Sequence, residues 1–242
     1  MKMVNVKKII MRNFSLSTQK YDNFEEKYSF FKSLAQEMLK FGDVRDGKYL
    51  DAGCGTGILK EVSPRLNIVG LDVSDEMCRV AKKRIDEVFV GDAENLPFKE
   101  GVFDGVIFNA SIFLIPNAKK AVEEALRVIK KGGVVLGSYI VGFFDDGGRI
   151  LDRYGLVHRE VYPAEKIDRF ESEFNAEIMS VDYQANGEFM LDFYLIPAMS
   201  NALFPKIPYE ERVKRIKSIL VNLPEKLEFK CKIFKIHKNS TR

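Results

Sequence analysis

The sequence predicts an α/β fold with a doubly wound, mostly parallel sheet, and three observations carry that prediction. A short apolar segment, Tyr49-Leu50-Asp51-Ala52, runs straight into Gly53-Cys54-Gly55-Thr56-Gly57, with glycines at alternate positions. Two more apolar segments end the same way in an acid, Asn67 to Asp72 and Val88 to Asp92. Segments of helical periodicity alternate with these strands, which is the pattern of a parallel sheet wrapped by helices.

Taken in order, Phe24, Tyr28, Phe31, Leu34, Met38 and Leu39 recur at helical spacing and stop at Gly42, so an amphipathic helix with a glycine C-cap is expected there. The first strand follows, with its glycine turn. Gly tolerates conformations and close approaches that a Cβ forbids, so a strand, a Gly-rich turn and a helix can seat a nucleotide-like ligand. Which nucleotide is narrowed by spacing. A P-loop needs Lys and a hydroxyl residue after its last glycine, and Ile58-Leu59 stand there instead. The dinucleotide fingerprint wants a glycine at position 58, which is Ile. By itself such a loop is also compatible with a plain turn.

Ser74 with Asp75 and Glu76 opens the helix after the second strand, placing acids at the positive end of its dipole, and Met77, Val80, Ala81 and Ile85 face inward. After a fourth strand around Phe103 to Phe108, a helix is expected over Ala118 to Lys131. It buries Ala121, Val122, Ala125, Leu126 and Ile129 and ends in Lys130, Lys131 and two glycines. Val134 to Val141 reads as the fifth strand, and Glu177 to Tyr183 and Phe229 to Ile236 as the sixth and seventh. Asp51, Asp72 and Asp92 then share the carboxyl edge of the sheet, where open α/β sheets bind ligands.

Composition sets the outer bounds. The 242 residues are 46% hydrophobic, which suits one domain with a sizeable core. Lys and Arg number 38 against 35 acids, and a net charge of +3 demands no polyanionic partner. Cys54, Cys78 and Cys231 lack any Cys-x-x-Cys spacing, so neither a disulfide framework nor a zinc knuckle is expected. With no signal-peptide pattern and no membrane span, a cytoplasmic location is the expectation.

Asp51 to Gly57, Asp72, Gly91-Asp92-Ala93, the block Phe103 to Phe108 and Ala125 through Gly133 together resemble the class I S-adenosylmethionine-dependent methyltransferases, over positions 45 to 141. Tyr21-Asp22 ahead of a helix is similar to the small-molecule branch that includes ubiquinone and menaquinone biosynthesis enzymes. The resemblance implies a Rossmann-like sheet of seven strands, the last antiparallel, with S-adenosylmethionine as cofactor and S-adenosylhomocysteine as product. It implies that Gly53, Gly55 and Gly57 line the methionine part, that Asp72 holds the ribose hydroxyls, and that Asp92 meets the adenine amino group beside Ala93. Asp51, Cys54 and Val73 join the cofactor residues, and Asn109 borders the methyl-transfer site.

On this reading residues 1–44 form a helical lid, 45–141 the cofactor core and 142–242 the substrate-side half. The long stretch 186–225 is expected to be either an inserted cap, rich in aromatic and Met side chains, or extra core. A sulfonium activates its own methyl group, so a base is needed only for a poorly acidic acceptor. Tyr21, Asn109, Tyr154, His158 and Tyr162 are the candidates, with Tyr21, Asn109 and His158 foremost. Asp145 and Asp146, with His158 and Glu160, are compatible with a divalent metal, but Asp-Asp-Gly-Gly is ordinary turn chemistry and no metal is expected. Cys54 reads as packing rather than a nucleophile, and the Lys and Arg of 206–238, interleaved with Glu, as a solvated face. Two alternatives to a small-molecule enzyme stay open: an RNA methyltransferase, against which no appended RNA-binding module is seen, and a noncatalytic S-adenosylmethionine-binding protein.

Overall fold

The computed structural model describes residues 2–157 and 164–239. Its strands are β1 (Lys48–Ala52), β2 (Asn67–Asp72), β3 (Glu87–Val90), β4 (Phe103–Phe108), β5 (Ile129–Asp145), the two-residue β6 (Gly148–Arg149), β7 (Glu177–Ala185) and β8 (Leu227–His237). The helices are α1 (Lys2–Tyr28), α2 (Phe30–Phe41), α3 (Ile58–Val62), α4 (Asp75–Ala81), α5 (Ala118–Val128), α6 (Ile150–Arg153), α7 (Ala164–Asp168), α8 (Phe170–Phe174), α9 (Gly187–Tyr194), α10 (Pro197–Leu203) and α11 (Tyr209–Ile219).

Seven strands lie in the order β3-β2-β1-β4-β5-β8-β7, with β6 pairing only to the end of β5. The neighbours from β3 to β5 run parallel, and β8 is antiparallel to both β5 and β7. Leu50, Val106, Ile107, Phe108, Val135 and Leu136 are fully buried. Central parallel strands are covered on both faces, which is why these segments read as apolar runs and not as alternating ones. The direction of winding reverses between β1 and β4, and the loops after these two strands therefore part to leave a crevice at the carboxyl edge.

Two helix ends differ from the expectation. The helix around Phe24 to Leu39 is two helices: α1 begins far upstream, at Lys2, and breaks at Ser29, whose φ is 50°. Both Oε atoms of Glu25 take up the amides the break exposes, accepting from Phe31 N at 2.8 Å and Lys32 N at 3.0 Å. Tyr21-Asp22 accordingly sits inside α1 and not ahead of a helix. At the far end of α2, Gly42 keeps a helical φ of −78° and Asp43 takes the left-handed position. Glycine is needed at 42 for clearance, because a Cβ there would lie 2.4 Å from Leu136 Cδ1.

The second difference is at α5, which stops at Val128 rather than Lys131. Ile129 already pairs with Phe103, and Lys130 to Gly133 form an irregularity before the β4–β5 ladder resumes at Gly105 and Val134. There Gly132 N donates to Lys238 O and Lys238 N to Gly133 O, so the sheet outcompetes the helix for these residues.

The 186–225 stretch folds as α9, α10 and α11 and is largely core. Asn186 caps α9 by accepting from Phe189 N at 2.8 Å. Phe189 and Phe193 pack edge-on against Phe229, itself stacked on Phe143 at 4.1 Å. The buried Arg212 guanidinium donates to Pro197 O, Ser200 Oγ and Asn13 Oδ1, fastening α11 to α10 and both to α1. No helix among the described residues is long and apolar enough to cross a membrane.

Candidate functional site

The crevice at the carboxyl edge is a cavity enclosing about 890 Å3 of space between atoms, its solvent-open mouth included. Of the sequence-predicted residues, Tyr21, Gly53, Gly55, Asp72, Val73, Asp92, Ala93 and Asn109 line it. They come from α1, the turn after β1, the ends of β2 and β3, and the turn after β4, so the fold gathers residues separated by up to 88 positions in the chain, from Tyr21 to Asn109.

The glycine turn is held from below and from the side. Gly53 N and Cys54 N both donate to Leu71 O, at 2.7 and 3.0 Å, and Gly55 N donates to Asp72 Oδ2 at 3.0 Å. Ser74 N supplies Asp72 Oδ1 at 2.8 Å. Burial pushes the Asp72 carboxyl upward, against the pull of these amides. Each carboxylate oxygen has two lone-pair directions, so two amides leave Asp72 capacity to accept hydroxyl groups from the cavity.

The three glycines have different duties. Gly53 has φ of +78° and its missing Cβ would sit 2.6 Å from Ser111 Cβ. Gly55 has φ of +52° and meets nothing within 4 Å in that direction. Gly57, expected on the methionine part, is outside the cavity lining: a Cβ there would touch Ala81 and Ile85, so its bareness sets the spacing to α4.

Asp51 and Cys54 also lie off the cavity wall. Cys54 Sγ packs beneath the turn, 3.0 Å from where a Cβ on Gly70 would be, and a hydrogen bond with Cys78, together with burial, holds its thiol well above the usual range. Asp51 is 2% exposed, its Oδ1 has no hydrogen-bond partner, and burial followed by the charge of Asp72 pushes its carboxyl up to about 8. A buried carboxyl of this kind is neutral in much of the free protein at pH 7.

The base candidates fare unevenly. Tyr21 stacks on Phe31, with ring centroids 4.5 Å apart, and burial, then the carboxylates of Glu25, Asp51, Asp22 and Asp72, drive its hydroxyl well above the usual range. Such a shift keeps the proton on its hydroxyl. Asn109 spans two elements, its Nδ2 donating to Phe31 O at 3.2 Å and its Oδ1 accepting from Ser138 Oγ at 3.4 Å. The Tyr154 hydroxyl is outside the cavity, donating to Val221 O. His158, Glu160 and Tyr162 lie outside the described residues. The Asp145 carboxylate takes the Arg153 guanidinium and the Gly147 amide, the turn chemistry read from Asp-Asp-Gly-Gly.

Some of the wall was not legible from motifs. Phe14, Phe31, Phe113 and Met199 complete it, and Met199 is the one residue of the 186–225 stretch that reaches it. A latch closes α1 onto the turn: Thr56 Oγ1 donates to Asp22 Oδ1 at 2.7 Å, and Arg84 donates to Thr56 O at 2.9 Å while pairing with Glu61. Its signal in the sequence was Asp22 beside Tyr21.

Comparison with known proteins converges on one fold. Residues 50–137 match the family model of a methyltransferase domain, Methyltransf_11. The demethylmenaquinone methyltransferase of Thermotoga maritima is 34% identical over 138 residues, 52% of this chain and 59% of that protein. The tRNA (carboxymethyluridine(34)-5-O)-methyltransferase of Arabidopsis thaliana is 39% identical over 90 residues, 36% of this chain and 22% of that protein. The chain thus spans less than two thirds of the length of either. An S-adenosylmethionine-dependent methyltransferase of Thermotoga maritima superposes with a TM-score of 0.59 at 18% identity, over 95% of this chain and 100% of that one. The fold is the class I methyltransferase fold, a Rossmann-like sheet with an antiparallel strand inserted near its end.

Proposed function

From a chain that carries a methyltransferase domain at residues 50–137 on the class I fold, we propose an enzyme that moves the methyl group of S-adenosylmethionine to a small-molecule acceptor by in-line displacement. The observation that carries the reading is a single cavity walled by the bare turn at Gly53 and Gly55, by Asp72 and by Asp92-Ala93. S-adenosylmethionine, when bound, supplies a methyl group already activated by its sulfonium. The chain's part is to grip, orient and dry the site.

Asp72 would offer lone pairs to the ribose hydroxyls, and Asp92 with Ala93 would flank the adenine. Gly53 and Gly55 would leave the methionine part room free of side chains. Asp51 lies beneath that turn as a reserve of negative charge for a cationic ligand. The Tyr21 and Phe31 rings close the side toward α1 and α2, and the Asp22–Thr56 latch holds that lid down. Similarity to a demethylmenaquinone methyltransferase favours a small acceptor.

Asp72→Ala is expected to weaken S-adenosylhomocysteine binding at least tenfold, about 1.4 kcal/mol, by isothermal calorimetry, while Glu210→Ala on the exposed face of α11 leaves it unchanged. Equal affinity in both variants would count against the placement of the ribose. Incubation with isotope-labelled cofactor and a metabolite extract is expected to yield a labelled small molecule. Tight binding without any labelled product would favour a noncatalytic role, and label in RNA the nucleic-acid alternative.

A further inference from the structure

Two thiols that methyl transfer leaves unused lie just behind the cavity wall. Cys54 sits between Gly53 and Gly55, and Cys78 follows Met77 in α4; those three neighbours line the cavity, while neither cysteine does. Cys54 is 6% exposed and Cys78 2%.

The floor beneath both is β2. Cys54 N donates to Leu71 O at 3.0 Å, and Cys54 Sγ lies 3.0 Å from where a Cβ on Gly70 would be. Just past α4, Ile85 Cδ1 lies 3.3 Å from the same point, and Cys78 Sγ is 3.4 Å from Phe89 O and 3.6 Å from Asp72 O. A bare Gly70 thus lets the turn and the α4 side converge over β2, and the Cys54 and Cys78 side chains hydrogen-bond to each other there. Cys231, the remaining cysteine, is on β8, with β4 and β5 between it and β1.

Contact makes the two sulfurs unequal. The hydrogen bond from Cys54 holds the Cys78 thiol below its usual range, and the same bond with burial holds Cys54 above it. Cys78 therefore ionises first, and the thiolate is the form that an oxidant attacks.

We propose that Cys54 and Cys78 are a reversible oxidative modification site, which a peroxide converts to a disulfide that shuts the cofactor turn. The Cys78 thiolate attacks one peroxide oxygen, the O–O bond breaks, and the departing hydroxide takes up the proton that Cys78 released. The Cys54 sulfur then attacks the sulfenic sulfur of Cys78, and the sulfenic hydroxyl leaves as water with the Cys54 proton. Two thiols lose two electrons and two protons, and one peroxide becomes two waters.

A covalent bond draws two sulfurs closer than a hydrogen bond does, so the link pulls the turn toward α4. Gly55 N and Ser74 N, which hold the two oxygens of Asp72 from those two elements, are displaced with it. The loss of cofactor affinity rests on reading the cavity as the cofactor's; formation of the link does not. By linkage, a nucleoside that needs the open turn opposes the link.

The test treats the full chain with hydrogen peroxide, blocks remaining thiols with iodoacetamide and maps the cysteines by peptide mass spectrometry. A Cys54–Cys78 crosslink is expected, with Cys231 alkylated. The oxidised chain is expected to bind S-adenosylhomocysteine at least tenfold more weakly and to recover with dithiothreitol, which does not reverse methionine oxidation. Saturating S-adenosylhomocysteine is expected to slow the crosslink at least fivefold. Cys78→Ala is expected to make the affinity indifferent to peroxide, and Cys231→Ala to leave the response intact. Absence of the crosslink, overoxidation of either thiol in its place, an oxidised chain whose affinity stays within twofold, or a peroxide response that survives in Cys78→Ala would each overturn the assignment. The wild-type mass and affinity comparisons stand even if a variant misfolds. Failure of the reduced wild-type chain to bind S-adenosylhomocysteine would instead refute the cofactor reading, while the crosslink is still read by mass.

Discussion

Relative to Asp51→Asn, the wild-type chain is expected to lose stability as pH rises from about 4 to about 8, by on the order of 5 kcal/mol. The cause is the Asp51 carboxyl, pushed up to about 8 by burial and by Asp72, with Oδ1 unpartnered. The folded state keeps its proton after the unfolded chain has released it. Over that interval the native protein binds more protons, so its stability is full below the ordinary carboxyl range and falls until pH passes the folded value. Total stabilities of domains are about 5–15 kcal/mol, so the effect is large.

Glu25 and Asp72, both raised by burial, act in the same direction, while Glu61, Glu76, Asp104, Glu124 and Asp145, held down by basic partners, act in the opposite one, so the variant keeps a pH dependence of its own. The difference between the two urea denaturation series across pH isolates Asp51. Parallel series would contradict the account. The same carboxyl links to function: a sulfonium and an ammonium group arriving above it favour its ionised form. Binding of S-adenosylmethionine near pH 7 is therefore expected to release protons, read by calorimetry in buffers of different ionisation enthalpy, and Asp51→Asn to abolish the release.

The second large effect separates two glycines of one turn. Gly53→Ala must hold a Cβ at φ of +78° and 2.6 Å from Ser111 Cβ, and Ser111 cannot yield freely because its hydroxyl donates to Ala52 O at 2.7 Å. Left-handed strain of about 1–2 kcal/mol and overpacking of about 1–3 kcal/mol add to a stability loss of roughly 2–5 kcal/mol. Gly55→Ala at φ of +52° meets no protein atom within 4 Å. It is expected to cost only the conformational part, about 1–2 kcal/mol, yet to lower S-adenosylhomocysteine affinity at least tenfold, because its methyl group occupies the space the ligand needs. Thermal denaturation and calorimetry on the pair check the contrast. Similar signatures for both would show that the turn is structural throughout.

The core of this site was legible because its signals are local. Asp51, Asp72 and Asp92 each follow an apolar run, and strand ends on one sheet edge need no tertiary knowledge to be aligned. The two helix ends were misread because tertiary contacts decided them: Gly42 is glycine for Leu136, and Ile129 is strand because Phe103 pairs with it. Gly57 looked like its two neighbours in sequence, but its packing against Ala81 and Ile85 is visible only once α4 is in place. Within 186–225, Phe189 and Phe193 join the core while Met199 meets the cavity, a division that no local pattern separates.

A crystal structure of the chain soaked with S-adenosylhomocysteine tests the central claim most directly. The account predicts the nucleoside in the carboxyl-edge cavity, ribose hydroxyls on Asp72, adenine beside Ala93 with its amino group toward Asp92, and the thioether sulfur near Asn109. A cavity that stays empty at saturating ligand, or a nucleoside bound away from Asp72, would contradict it.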